Sequence, residues 1–544
     1  MKKIYIYMLL VLSIFLTGCK KESNSLTLRI YNWQDYIDEG LDDDGNVIGK
    51  SVMEEWQEWY YQTYNQKVEV VYDTFETNEV MMNTLKTGKT TYDLICPSEY
   101  TIQKMIRLNM LEEYDYELKD ENGNLILENY QYVSPYLKNL FSDKGWDSYA
   151  VPYMWGTMGF IYNPDNVSEE KIKHWSILWD EEYKNMATAK DSVRDTYVVG
   201  VMYVYYDELM QIKEQYGKGE ITSSEYNKQI ETIMNRSDEV TIKKVEKALK
   251  DMKQNIYGME VDSGKSDIVT GKVSINFAWS GDAVYSLDVA EEENDVYLHY
   301  AVPEEGSNVW FDGWVMPKGA NKQLAQSFVN YLCKPEIAAR NMNFIGYTSS
   351  IVGDDILDLI DDWYGSTMPE YSDELGSWIY NYDEVINLNK TDKELEVSVT
   401  DGDIYLGSEK LIDILTSINK EYADKYACTS YDVDLSYLFN GAVSDEYLTD
   451  GKVIISVEER GRQFDTQYPD YETIERCGIM QDFGDQNDQV LAMWENVKIG
   501  DISPTITIIV IVGVVLCMGY LYGRRYIKHK QKMSRKKEFS EKTK

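Results

Sequence analysis

Residues 26–36 read LTLRIYNWQDY and join a strand-like apolar run to two large rings and a carboxylate. Trp33 and Tyr36 supply the rings, and Asp35 supplies the carboxylate. Aromatic faces and a carboxylate that lie together can hold an organic ammonium ion through cation–π attraction and charge pairing. A hydrophobic strand end followed by a helix cap would use the same residues, so this stretch alone leaves both interpretations open.

The pairing of a ring with an acid recurs far along the chain. Residues 279–282 read WSGD, and residues 310–312 read WFD. A single ring-and-acid pair suits a strand end, whereas three pairs point to shared chemistry. The recurrence therefore favours a binding site.

From residue 26 onward, apolar runs alternate with amphipathic stretches. The pattern predicts strand, helix, strand, helix and strand at residues 26–31, 53–64, 68–72, 79–86 and 94–96. This order favours the α/β class, with a parallel sheet covered by helices on both faces. Ligands of such sheets bind outside the carboxyl ends of the strands.

The chain then leaves this unit and returns to it. Residues 151–156, VPYMWG, predict a change of path. Beyond them the pattern predicts strands at 157–162, 186–189 and 273–278, and helices at 207–216 and 241–254. After residues 310–317, helices predicted at 322–331 and 335–341 resume the first style. We therefore expect one lobe, a crossing to a second lobe, and a crossing back.

Length and charge limit the possible functions. The 544 residues suggest about three or four domain-sized units. The formal net charge is −39, although residues 504–544 carry ten basic and two acidic side chains, so the acidity is concentrated in residues 20–503. Such a surface repels nucleic acid and favours cationic ligands, although solubility also explains an acidic surface.

The N-terminus has the pattern of a secretory signal over residues 1–19. Two lysines precede an apolar run at residues 4–15, and residues 16–19 read LTGC, which resembles a bacterial lipobox. A lipobox implies cleavage before Cys19 and a lipid on its sulfur, and residues 20–25 would then form a tether. An uncleaved anchor is the alternative.

A second apolar run lies within residues 504–523 and is long enough to span a bilayer as a helix. The basic tail, residues 524–544, places the C-terminus in the cytoplasm by the positive-inside rule. The same tail could contact anionic lipid. Residues 500–504, GDISP, contain no sortase motif, so we expect a permanent transmembrane helix.

Cysteine and histidine provide little material for catalysis or metal binding. The six cysteines show no CxxC spacing, and three histidines are too few for a His-based metal site or a Ser-His-Asp triad. Cys428 with Cys477 is the one disulfide we would consider. Residues 42–46 and 120–124 place Gly at position four instead of the position six of an EF-hand, so both predict turns.

Nearly all candidate binding residues follow an apolar run directly, where strand ends open into loops. This common placement indicates a single site. The candidates are Trp33, Asp35, Tyr36, Ser98, Glu99, Tyr100, Asp191, Asp195, Trp279, Asp282, Trp310, Asp312 and Tyr347.

Eight stretches resemble, in order, the spermidine/putrescine-binding protein family of bacterial polyamine ABC transporters. They are YNWQDY, YDTFETNEVMMNTLKTGKTTYDLICPSEYTIQKM, VPYMWGTMGFIYN, DSVRDTYVVG, GKVSINFAWSGDAV, VWFDGWVMPKGA, FIGYTSS and YPDYETIERCGIMQDFGDQ. The resemblance covers residues 26 to about 350 and resumes from about 430 to 498. It implies a type II periplasmic-binding-protein fold with two α/β lobes that close on an extended polyamine.

The resemblance also implies domain boundaries and a ligand role for each candidate. The first lobe would comprise residues 26–150 and 312–350, the second 151–311 and 430–500, with an insertion at 351–429. It implies ammonium pairing by Asp195, Asp282 and Asp312, ligand-flanking roles for Trp33 and Tyr36, amine holding by Ser98 and Tyr100, stacking by Trp279 and Trp310, a further ring from Tyr347, and a position near one ligand end for Gln481.

The residues that distinguish putrescine-preferring from spermidine-preferring members of the family give conflicting indications in this chain. Ser192 stands where spermidine-preferring members carry an acid, and Asp35 and Asp282 match putrescine-preferring members. Trp310, in contrast, matches the spermidine-preferring members. We lean toward putrescine.

Between Tyr347 and Tyr468 the chain holds roughly a hundred residues more than the family pattern, and this excess is open to three interpretations. An embellishment of the second lobe, a docking surface for a permease and a separate small module all suit a structured connection of this length. Its pattern predicts a helix at 411–426 and a strand at 453–457.

We therefore predict a membrane-tethered receptor that captures polyamine outside the cell and delivers it to an ABC permease with a cytoplasmic ATPase. The same fold could bind another cationic or amino-bearing solute, or sense polyamine. A carboxylate-based hydrolase is disfavoured because the acids show no recognisable catalytic pattern. We expect no cofactor, no metal, no enzymatic activity and no nucleic acid partner.

Overall fold

The computed structural model describes residues 26–41, 45–88, 90–366, 370–372, 377–379, 397–400, 403–418, 431–439 and 441–499. The predicted signal with Cys19, the tether, the apolar run within 504–523 and the basic tail all lie outside the described residues. Within the part of the chain that is described, no helix has the length and apolar character needed to cross a membrane.

Twenty strands are numbered here in chain order. They are β1 (Leu26–Trp33), β2 (Val68–Phe75), β3 (Leu94–Ile95), β4 (Leu111–Glu112), β5 (Ala150–Tyr162), β6 (Ala187–Lys190), β7 (Gly258–Glu260), β8 (Ile275–Trp279), β9 (His299–Ala301), β10 (Ser307–Pro317), β11 (Thr348–Ser349), β12 (Glu370–Ser372), β13 (Ser377–Ile379), β14 (Val397–Thr400), β15 (Asp403–Leu406), β16 (Glu409–Lys410), β17 (Tyr431–Asp434), β18 (Leu448–Thr449), β19 (Lys452–Val457) and β20 (Cys477–Gly478).

Fourteen α-helices of eight or more residues lie in the described part of the chain. They are Val52–Tyr64, Asn78–Thr87, Glu99–Arg107, Pro135–Lys144, Val193–Val204, Tyr206–Gly217, Ser223–Met234, Glu239–Asn255, Ser280–Asn294, Lys322–Leu332, Pro335–Ile345, Asp354–Tyr364, Leu411–Ile418 and Asn487–Ile499. Shorter α-helices are Glu169–Ile172, Gly264–Val269, Ser436–Phe439, Gln463–Gln467 and Tyr471–Glu475.

Local sequence accounts for where the helices begin and end. Ser51 and Glu54 form a capping box at the start of Val52–Tyr64, and Asn65 ends this helix in the left-handed conformation. Thr222 and Glu225 form the same box at Ser223–Met234. The predicted β-α-β-α-β order of residues 26–96 is confirmed, with element ends shifted by a few residues.

One twelve-stranded sheet runs through both lobes. Its main path is β2-β1-β3-β10-β5-β8-β6-β7, with β4, β9, β11 and β20 paired along its sides. In the first lobe β1 pairs in parallel with β2 and β3, and in the second lobe β6 pairs in parallel with β7 and β8. The expected two-lobed α/β architecture is thus confirmed.

Strands β5 and β10 connect the lobes. They pair antiparallel over Val309 to Val315, and all thirteen residues of β5 are buried. Residues 151–156, where a change of path was predicted, belong to β5, which starts at Ala150 instead of the predicted residue 157 and continues through Pro152. The ladder tolerates a residue without an N–H because its register shifts between Asp312 and Gly313, where Gly313 lies opposite Pro152.

The turn prediction holds where it can be compared. Oδ1 of Asp120 accepts hydrogen bonds from the backbone N–H groups of Asn122 and Asn124, both at 2.9 Å. Residues 42–44 of the other cluster lie outside the described residues. Within the described ranges, no group of three or more His, Cys, Asp or Glu residues could hold a metal ion. Cys477 is buried, and Cys428 is not described, so their disulfide stays a prediction.

The region after residue 350 forms small separate sheets. Strands β12 and β13 pair with each other, β15 lies between β14 and β16, and β19 lies between β17 and β18. The predicted strand 453–457 is confirmed as β19. The helix predicted at 411–426 is described over Leu411–Ile418. The role of this region stays a prediction.

The close packing of Gly159 in β5 against its neighbours can be tested by substitution. A Cβ on Gly159 would overlap the carbonyl oxygen of Ala301 and crowd the Tyr300 ring. We expect Gly159→Ala to lower the free energy of unfolding by about 1–3 kcal/mol through overpacking. Gly258→Ala is the matched control, because no atom lies within 4 Å of its added Cβ. Equal denaturant midpoints for the two variants would contradict the expectation.

Candidate functional site

Most of the predicted site residues follow strand ends, as expected. Trp33 and Trp279 are the last residues of β1 and β8, and Ser98 lies three residues after the end of β3. The expectation of a strand end was wrong for Trp310 and Asp312, which lie in the middle of β10. The reason is that β10 connects the lobes, so its middle lies beside β3 of one lobe and β5, which continues into the other.

Asp312, Tyr36 and Ser98 form the first group of the site. The Tyr36 hydroxyl donates to Oδ2 of Asp312 at 2.8 Å, and Ser98 forms an isolated bridge with Asp312. Oδ1 of Asp312 is buried and has no hydrogen-bond partner among the described residues. Burial raises the pKa of Asp312 to about 7 and outweighs the hydrogen bonds of Ser98 and Tyr36, which lower it, while the charge of Asp195 adds a smaller rise.

Asp282 and Tyr347 form the second group. The Tyr347 hydroxyl donates to Oδ1 of Asp282 at 2.8 Å. Asp282 lies in the first turn of helix Ser280–Asn294, where the helix dipole favours a negative charge. Gly281 permits the close approach, because a Cβ there would overlap the Tyr347 ring.

Aromatic rings join the two groups. Tyr347 packs edge-on against Tyr36 with ring centroids 5.5 Å apart, and it packs at the same distance against Trp310. Trp310 is oriented by its indole N–H, which donates to the carbonyl of Thr157 at 3.1 Å. The row Tyr36, Tyr347 and Trp310 therefore connects Asp312 with Asp282.

Asp195 is a third buried acid of the site. Burial raises its pKa, although hydrogen bonds from Ser192 and Trp279 and the charges of Arg194 and Lys190 oppose that rise. Asp195, Asp282 and Asp312 are each less than a tenth exposed to solvent. Buried acids with rings beside them suit an organic cation, which supplies the missing charge and apolar surface for the rings.

Lys190, the last residue of β6, is a site residue that our sequence analysis missed. Its Nζ lies 3.2 Å from Oδ2 of Asp282 and 3.3 Å from Oε1 of Glu260, and 4.4 Å from the centroid of the Trp279 ring. Burial would lower the pKa of Lys190, but these two acids outweigh it and raise the pKa. A lysine inside the apolar strand ATAK was the available signal.

Glu99, one of the candidates from the sequence, adjoins the first group. Its carboxyl group accepts from the Asn308 side chain at 3.2 Å and from the Phe311 backbone N–H at 3.4 Å. Burial raises its pKa to about 8. Glu99 therefore braces β10 next to Asp312.

Four predicted residues lie outside this connected group. The Trp33 ring packs on Phe75 with centroids 4.5 Å apart, and the Tyr100 hydroxyl accepts from Asn78 at 2.8 Å. Asp35 is exposed in a left-handed turn. Gln481 is also exposed and donates to Glu231 at 2.8 Å.

Asp282 is already compensated, in contrast to Asp312. Burial acts to raise the pKa of Asp282, but the charges of Lys190 and Lys265 hold it below its usual value. The strongest charge acting on Asp312 is another acid, Asp195. The two ends of the site therefore differ in electrostatic character.

Curated relatives of this chain are polyamine-binding proteins. It is 27% identical over 327 residues to the spermidine/putrescine-binding periplasmic protein of Salmonella typhimurium, covering 60% of this chain and 78% of that protein. It is 27% identical over 348 residues to the putrescine-binding periplasmic protein SpuD of Pseudomonas aeruginosa, covering 61% and 80%.

A solved structure supports the fold. The putative spermidine/putrescine ABC transporter from Listeria monocytogenes is 22% identical, covers 87% of this chain and 99% of its own, and superposes with a TM-score of 0.51. This likeness identifies the fold as the two-lobed periplasmic-binding-protein fold. Residues 58–353, more than half of the chain, match the family described as bacterial extracellular solute-binding protein. The chain belongs to the bacterial extracellular solute-binding protein family.

Proposed function

We propose that this protein is the substrate-binding component of an ABC transporter, which captures a polyamine outside the cell and delivers it to a permease driven by a cytoplasmic ATPase. The observation that best supports this proposal is the row of rings, Tyr36, Tyr347 and Trp310. This row joins the two buried acids Asp312 and Asp282. A polyamine is a flexible apolar chain with cationic nodes. It needs aromatic walls for its methylene groups and carboxylates for its nitrogens.

The names of the relatives support this substrate class. Both curated relatives described above are named for putrescine, and one is named for spermidine as well. Both names give polyamines, but they differ in the individual amines that they include. Putrescine stays our preferred ligand, and another cationic or amino-bearing solute is the alternative.

Within this proposal the ligand bridges two lobes that close on it. We assign residues 26–150 and 312–350 to the first lobe and 151–311 and 430–500 to the second. Contacts between these assigned lobes include Tyr347 with Asp282, and Gln103 with the Met480 carbonyl at 2.8 Å. Because the acids of the site are buried, these contacts would separate on ligand entry and re-form on closure.

The roles of Trp33, Asp35, Tyr100 and Gln481 remain part of the proposal. In the described arrangement they lie outside the connected group, and they would contact the ligand at its ends or during entry. Asp35 is exposed, so its pairing with an amine would be screened and weak.

We also propose attachment to the membrane at both ends. The lipobox-like residues 16–19 would place a lipid on Cys19, and a helix within residues 504–523 would anchor the other end.

Replacing Asp312 by Asn tests the proposed site. The substitution removes the charge of an acid whose Oδ1 lacks a partner, so we expect putrescine or spermidine binding to weaken by about 1–3 kcal/mol. Titration calorimetry of the purified protein measures the change. Asp434→Asn is the control, since Asp434 pairs with Lys452 outside the site. Equal affinity in the wild type and Asp312→Asn would remove Asp312 from the site. Absence of heat with putrescine, spermidine and spermine would refute the proposed substrate class.

The raised pKa of Asp312 predicts a pH dependence of binding. The ligand-free carboxyl group is protonated below its pKa of about 7, and an ammonium group pairs with the deprotonated form. Affinity should therefore fall by about tenfold from pH 8 to pH 6. Glu99, with a pKa of about 8, titrates nearby, so Asp312→Asn is measured in parallel. A pH profile with the same slope in that variant would exclude Asp312 as the group responsible.

The proposed lipid gives a separate test. We expect the wild-type protein, expressed in a bacterium with lipoprotein processing, to incorporate a labelled fatty acid, and Cys19→Ala to lose the label. Cys96→Ala is the control, because Cys96 is buried. Equal labelling of the wild type and Cys19→Ala would exclude Cys19 as the modified residue.

A further inference from the structure

The Lys190 ammonium group lies in a complete cation site formed by the protein itself. Nζ contacts Oδ2 of Asp282 at 3.2 Å, Oε1 of Glu260 at 3.3 Å and the carbonyl oxygen of Val261 at 3.1 Å. Nζ donates hydrogen bonds to Asp282 and to the Val261 carbonyl and forms an ion pair with Glu260, so three oxygens surround the ammonium group. The Trp279 ring covers the same group at 4.4 Å. Two carboxylates, a carbonyl and a ring are the contacts that a ligand amine would need.

Lys190 is held firmly in this position. It is the last residue of β6 and is fully buried. Lys265 adds a second positive charge, with its Nζ 3.8 Å from Oδ1 of Asp282. Asp282 therefore faces two cations of the protein before any ligand arrives.

The other end of the site lacks such compensation. Oδ1 of Asp312 has no hydrogen-bond partner among the described residues. Its other oxygen accepts from the neutral hydroxyl of Tyr36 at 2.8 Å. A cation from the ligand is therefore needed at Asp312 and is redundant at Asp282.

We infer that Lys190 takes the place of one ligand ammonium group, so that the site requires a single cationic head at Asp312 and accepts a neutral polar end toward Asp282 as well as a charged one. The inference rests on the proposed amine-binding function and narrows it. Longer polyamines with a cation at both ends would gain little from the second charge, because the oxygens of Asp282 already pair with Lys190 and Tyr347.

A pair of ligands of equal length tests the inference directly. Putrescine and 4-amino-1-butanol have the same chain and differ in one terminal group, an ammonium or a hydroxyl. We expect the wild-type protein to bind them with dissociation constants that differ by less than about threefold in titration calorimetry. A preference for putrescine of more than about tenfold would overturn the inference and leave the proposed function standing. Binding of neither ligand, nor of spermidine, would overturn both.

Removing the lysine should restore the second cation site. In Lys190→Met combined with Glu260→Gln, the paired charges disappear together, which limits the cost of an uncompensated buried acid. We expect putrescine to gain at least tenfold in affinity relative to 4-amino-1-butanol. A ratio that stays at the wild-type value would overturn the inference. If this variant fails to fold, the wild-type ratio alone decides.

Lys171→Met is the matched control. Lys171 also pairs with two carboxylates, Asp180 and Glu182, both at 2.7 Å, and lies 5.5 Å from the centroid of the Tyr183 ring. This cluster is outside the site, so its loss should leave the ratio of the two ligands unchanged. An equal change in the control and the Lys190 variant would attribute the effect to global charge and overturn the inference.

Discussion

The pairing of β5 with β10 is the constraint on which the rest of this structure depends. The two strands carry the sheet from one lobe into the other, and the register between Trp310 and Gly156 places the middle of β10 at the site. The shift after Asp312 accommodates Pro152 and leaves Tyr153 unpaired in the ladder, where its hydroxyl donates to the Tyr36 carbonyl at 2.9 Å. One irregularity in the ladder thus helps to fix both Asp312 and the tyrosine that binds it.

Burying a carboxylate at this junction costs desolvation free energy, and two different effects reduce that cost. At Asp282 the cost is offset by Lys190 and by the Tyr347 hydroxyl. At Asp312 it is met by a shift of the pKa to about 7, which keeps much of the carboxyl group neutral near that pH. The charge of Asp282 is compensated by groups of the protein, whereas Asp312 can pair with a cation of the ligand.

The sequence predicted the parts of this arrangement that depend on local pattern. The alternation of residues 26–96 predicted the sheet, and the three ring-and-acid pairs predicted residues that the structure brings together, such as Tyr36 and Asp312. It missed Lys190 because its partners Asp282 and Glu260 are distant in the chain, so no local spacing indicates their contact. It placed the start of the strand at residue 157 instead of Ala150, because the pairing of residues 151–156 with β10 joins parts of the chain that are far apart in sequence.

The asymmetry between the two acids follows from where each lies in the fold. Asp282 begins a helix of the second lobe, close to the end of β6, so a lysine at that strand end reaches it within the same lobe. Asp312 lies on the connecting strand, and its polar neighbours, Tyr36 and Ser98, are neutral groups from the first lobe. A lysine beside Asp312 would compensate its charge permanently and remove the reason for a ligand to draw the lobes together. In the proposed receptor, a ligand cation would pair with Asp312 at the junction between the lobes, and this pairing would couple binding to closure.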